Sequence, residues 1–78
     1  MKTKYDLTLY VLSDAEDGGA EFTDQYEISF FEDTDIEAEI RVSLILVDEV
    51  KRLLKEDKDV GKYELRKGEE LLMKRSFR

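Results

Sequence analysis

Seventy-eight residues with 20 acidic and 13 basic side chains, a net charge of −7, and no His, Cys, Trp or Pro leave room for a single domain, residues 1–78. The missing cysteine excludes a disulfide framework, thiol catalysis and thiolate metal sites, and the missing histidine removes the usual general base near neutral pH and the commonest metal ligand. No apolar run is long enough to cross a bilayer and no signal-peptide pattern is present, so a soluble cytoplasmic domain with no membrane partner is the expectation.

Charged residues make up 42% of the chain, against about 25% in ordinary globular domains, a balance that approaches the composition of disordered segments. Folding is expected nonetheless, because Leu, Ile, Val and Phe are abundant and recur with clear periods. A chain of this length buries only about 60% of the surface it exposes when unfolded, so each apolar position matters.

From Tyr5 to Leu12, Leu7, Leu9 and Val11 alternate with Asp6, Thr8 and Tyr10, the period of a half-buried strand. Residues 13–21 are polar and contain Gly18-Gly19, which reads as a loop. Tyr26, Ile28 and Phe30 then alternate with Glu27, Ser29 and Phe31, giving a second strand that forms a hairpin with the first.

The stretch 36–57 fits two periods. With period two, Ile36, Ala38, Ile40, Val42, Leu44 and Leu46 form a third strand, with a helix starting near Ser43. With period 3.6, Ile36, Ile40, Leu44, Val47, Val50 and Leu54 form a core-facing stripe, although Ser43 sits near its middle and Ile45 lies on the polar side. Thr34-Asp35-Ile36-Glu37 has the form of a capping box, Asp33 and Asp35 suit the positive end of a helix dipole, and Lys51, Arg52, Lys55 and Lys58 suit the negative end. These signals favour one helix over residues 35–57.

Residues 62–77 read as a second hairpin. Tyr63 and Leu65 share a face, as do Leu71, Met73 and Phe77, and these two odd-numbered sets require an odd number of residues between paired positions. A three-residue Arg66-Lys67-Gly68 loop meets that parity, pairing Leu65 with Glu69 and Tyr63 with Leu71. The expected fold class is therefore α+β, with ββαββ order and one helix on one face of a mostly antiparallel four-stranded sheet.

The stretches Tyr26–Phe30, Asp33–Ala38 and Tyr63–Leu72 give the chain a topology that resembles short bacterial ββαββ domains of unknown function. The resemblance implies the topology and no activity. Ubiquitin-like β-grasp domains share this order, but the chain ends Arg75-Ser76-Phe77-Arg78 without a Gly-Gly tail, so conjugation is not implied.

Charge is unevenly distributed. Between Asp14 and Glu39 there are 11 acids and no Lys or Arg; residues 1–40 carry a net −10 and residues 41–78 a net +3. Such an arrangement either solvates a loop and a strand or steers a basic partner. Direct nucleic-acid binding is not expected, because the bases at Lys62, Arg66, Lys67, Lys74, Arg75 and Arg78 are interspersed with Glu64, Glu69 and Glu70. A calcium loop counted from Asp14 has Gly18 at its fifth position and Gln25 at its twelfth, where oxygen-rich acidic ligands are needed, so no metal is expected. The serines have no histidine to activate them and no phosphate-cradling glycine motif is present, so neither a catalytic role nor a cofactor is expected.

The sequence thus points to a non-catalytic interaction module, in one version a charge-mimicking inhibitor of a basic, nucleic-acid-handling protein. The expected contact residues are Asp14, Glu16, Asp17, Glu21, Asp24, Glu27, Glu32 and Asp33 beside an open apolar sheet face of Tyr10, Leu12 and Phe31, with Leu72 a further candidate. The alternative is a structural subunit that forms a homodimer through its open sheet face or edge.

Overall fold

A computed structural model describes residues 2–14 and 20–77, leaving aside the side chains of residues 14, 20, 21 and 23. It contains β1 (Thr3–Asp14), β2 (Ala20–Glu32), α1 (Asp35–Leu54), β3 (Lys58–Lys67) and β4 (Glu70–Ser76). The sheet order is β2-β1-β3-β4 and every neighbouring pair is antiparallel, the ββαββ α+β arrangement expected from the sequence. β1 and β3 occupy the centre, while β2 and β4 form the edges.

The alternation of β1 determines its core face. Leu7 pairs with Ile28 on one side and Leu65 on the other, and Leu9 pairs with Tyr26 and Tyr63. Tyr5, Leu7, Leu9, Val11, Val60, Tyr63 and Leu65 make up the sheet half of the core, and Tyr5 stacks on Phe30 with ring centroids 5.7 Å apart. α1 closes the core with Ala38, Val42 and Leu53, flanked by the half-buried Ile45, Leu46 and Val50.

Thr34 caps α1, its hydroxyl accepting from the Glu37 N–H at 3.1 Å, so the N-cap half of the capping box is realised and one helix forms in place of a third strand. The helix ends at Leu54, three residues short of the expected boundary, and the chain turns through Asp57 at φ 57°.

Of the stripe expected to face the core, Val50 alone packs there. Ile36, Ile40, Leu44, Val47 and Leu54 are 71%, 59%, 62%, 53% and 57% exposed, whereas Ile45, assigned to the polar side, packs on the core. α1 has two apolar faces, and the one pressed on the sheet carries the smaller Ala38 and Val42, which allow close approach. Its rotation is fixed at the N-terminus, where Asp35, on the same side as Ala38 and Val42, accepts a 2.6 Å hydrogen bond from Tyr5.

The β3–β4 hairpin differs in register from the expectation. Lys67 pairs with Glu70 around a Gly68-Glu69 turn, Gly68 supplying φ 62° at the first central position, and Arg66 pairs with Leu71. Leu65 pairs with Met73 and Tyr63 with Arg75, because Leu72 is an extra residue in β4. The parity requirement is met by a bulge instead of a three-residue loop.

Candidate interaction surfaces

The sheet face opposite α1 is mixed in character. Tyr10 donates to Glu64 at 2.6 Å, its ring meets Phe22 edge-on with centroids 6.3 Å apart, and Lys62 Nζ lies 4.5 Å from the Tyr10 ring centre and 5.5 Å from that of Phe22. Leu12, expected to be exposed, is only 5% exposed, and Leu72 is half-buried against the core. Phe31 is exposed but pairs with Lys4, whereas Tyr10 pairs with Gln25. Six strand positions, about 20 Å, separate the two aromatic sites. Polar groups lie between them, including Ser29, which donates to Asp6 at 2.6 Å. Tyr10, Leu12 and Phe31 therefore do not form one continuous apolar patch.

The expected acidic residues are also divided. Asp24 and Glu32 lie on the helix side of β2, where Asp24 pairs with Lys58 at 3.0 Å and Glu32 with Arg41 at 2.8 Å. Glu27 lies on the open face, and Asp33 is exposed in the connection to α1. Glu16 and Asp17 fall outside the described residues, as do the side chains of Asp14 and Glu21.

Two tyrosine–carboxylate pairs carry the clearest electrostatic perturbations. The hydrogen bond to Asp35 pushes the Tyr5 phenol up to about 12, while that same bond, aided by Lys67, lowers the Asp35 carboxyl. On the open face, Glu64 raises Tyr10, and the hydrogen bond from Tyr10 lowers Glu64 with help from Arg66. Each pair crosses between elements: Tyr5–Asp35 joins β1 to α1, and Tyr10–Glu64 joins β1 to β3. Their evident work is to hold those elements in place.

Among the described residues, five of the nine exposed large hydrophobic side chains lie on the outer face of α1, and all five are ones that the 3.6-residue period places in the interior. Shallow open depressions run beside it, one bounded by Glu32, Glu37, Ile40, Arg41 and Leu44, another by Leu46, Val47, Val50 and Lys51. The sequence signal for this face was the 3.6-residue stripe itself, and the misfit of Ile45 was the sign that a second apolar face existed.

Among the described residues, no group of three or more Asp or Glu side chains is placed to hold a metal ion, and no helix is long and apolar enough to cross a membrane. No protein-family model matches the chain, and neither a curated protein nor a solved structure matches it.

Proposed function

We propose that the protein is a non-catalytic protein-interaction module whose contact surface is the outer face of α1. The observation that carries this reading is the line of Ile36, Ile40, Leu44, Val47 and Leu54, five large aliphatic side chains each more than half exposed. Burial of one such side chain is worth about 1.5–3 kcal/mol, so a continuous line of them favours a partner that removes it from water. Residues spaced by three and four along a helix are also the anchors used when a helix lies in an apolar groove or against another helix.

Charge at the two ends of the helix supplies orientation: Asp33, just before it, with Glu37 and Glu39 at its start, and Lys51 with the C-cap Lys55 at its end. The charge-mimic version has less support, since Asp24 and Glu32 are paired with bases of the chain itself and Glu27 faces the opposite side of the sheet. The non-catalytic reading draws on the open, shallow form of the depressions and on tyrosine–carboxylate pairs that tie structural elements together.

Photo-crosslinking in the source cells tests the surface. A benzophenone amino acid at position 44 is expected to yield covalent adducts, with any protein including the chain itself, while the same group at exposed position 69 yields none. No adduct from position 44, or equal yields from both, would count against the outer face of α1 as a contact site.

A further inference from the structure

We infer that the occupant of the outer face of α1 is a second copy of the chain, packed antiparallel across a two-fold axis. This rests on the reading of that face as a contact surface and adds the identity and orientation of the partner. Ile40, Leu44, Val47, Lys51 and Leu54 repeat at alternating intervals of four and three, the spacing of a helix–helix seam in which Lys51 contributes its aliphatic stem. All four apolar members are more than half exposed.

Charge fixes the orientation. Glu37 and Lys55 are separated by about five helical turns, so they stand on the same flank of the seam at opposite ends. Among the described residues, neither forms an ion pair within its own chain. An antiparallel two-fold with its axis near Val47 sets Ile40 against the partner's Leu54 and Glu37 against the partner's Lys55, and symmetry makes each contact twice. A parallel pair would instead leave Glu37 and the partner's Lys55 at opposite ends of the seam, about 27 Å apart along its axis, so neither charge is matched. Two copies joined along the β2 edge would bring the acids of one copy towards those of the other, whereas the helix face is self-complementary in this orientation.

Size agrees with a modest dimer. A 20-residue helix is about 30 Å long, and two facing strips of that length bury on the order of 1,000 Å² in total, the lower bound for a specific interface. Asp48 stands near the axis and approaches its own copy, which weakens the pair further. The expected strength is on the order of micromolar, as for small interfaces of this kind.

Sedimentation velocity of the purified full chain, from about 5 μM to about 500 μM, tests the inference. The expected result is a concentration-dependent monomer–dimer equilibrium. Leu44→Asp and Val47→Asp should keep the circular dichroism spectrum and the dilute-solution Tm but remain monomeric throughout. Glu37→Lys should weaken the dimer on the order of tenfold, and combining it with Lys55→Glu should restore it, because the swap preserves the antiparallel pairing. A wild-type chain monomeric at every concentration, a dimer indifferent to Leu44→Asp, or a charge swap that fails to rescue would each overturn the second-copy assignment. A monomer whose position 44 still crosslinks to a different protein would overturn it while leaving the contact surface standing; a monomer with no adduct removes both.

Discussion

The Tyr5 hydroxyl donates to the Asp35 carboxylate at 2.6 Å, fastening the start of the central strand β1 to the first turn of α1 thirty residues later. Lys67 at the end of β3 reaches the same carboxylate at 3.5 Å, so Asp35 joins three elements. The capping residue Thr34 immediately precedes it, and the two together define where the helix starts and which way it is rotated.

The pair predicts a pH signature. Asp35 is held below its ordinary 3.8 by the Tyr5 hydrogen bond and Lys67, so its contribution is present above that value and is lost as pH falls through the lowered one. Tyr5 is raised from 10.0 to about 12 by the same bond, so its contribution is complete below pH 10 and disappears as pH rises towards 12. Tyr5→Phe should therefore destabilise the protein at neutral pH and flatten both limbs of its stability–pH curve. Urea unfolding from pH 2 to 12 measures this, and a variant that runs parallel to wild type at every pH would contradict it.

The two faces of α1 predict opposite behaviour for adjacent leucines. Leu53 is fully buried and Leu54 is 57% exposed. Leu53→Ala should cost about 2–5 kcal/mol through lost transfer energy and a residual cavity. Leu54→Ala, measured in dilute solution, should stay within about 0.5 kcal/mol of wild type. Chemical denaturation decides the matter, and comparable losses at both positions would mean the helix is rotated differently.

This contrast also shows what the sequence could convey. Period-two alternation in Tyr5–Leu12 and Tyr26–Phe31 identified both strands and their inward faces, because a sheet covered on one side forces that alternation. Thr34 to Glu37 gave the helix start. Periodicity could not choose between two apolar helix faces, since the choice is made by a tertiary bond from Tyr5 and by the close approach that Ala38 permits. Nor could it separate Tyr10 from Phe31, whose spacing on the open face depends on which residues pair across β1 and β2. Parity required one odd residue in the last hairpin, yet it could not place that residue at Leu72 in β4 instead of in the turn.

Gly61 is the extra residue where β3 passes β1, between the Lys62–Tyr10 and Val60–Val11 pairs. A Cβ there would lie 2.6 Å from Leu12 Cδ1, 2.7 Å from Leu12 Cγ and 2.8 Å from Phe22 Cε1. Leu12 is buried and cannot simply swing away, so Gly61→Ala should cost about 1–3 kcal/mol by overpacking. Adding Leu12→Ala should recover part of that loss, making the double variant more stable than the two single losses predict. Full additivity in a double-mutant cycle would show that the crowding is relieved elsewhere.

Asp57 occupies the left-handed region at φ 57° between α1 and β3, where its N–H donates to the Leu54 carbonyl at 3.2 Å. An ordinary side chain pays about 1–2 kcal/mol for that backbone conformation, Asp and Asn pay less, and glycine avoids the clash while losing more freedom on folding. Asp57→Asn should therefore be nearly neutral, Asp57→Gly should stabilise by up to about 1 kcal/mol, and Asp57→Val should destabilise by about 1–2 kcal/mol because a β-branched residue fits the region worst. Urea midpoints at constant m-value give this ranking. A valine variant as stable as the glycine one would show that the turn after α1 relaxes to a different conformation.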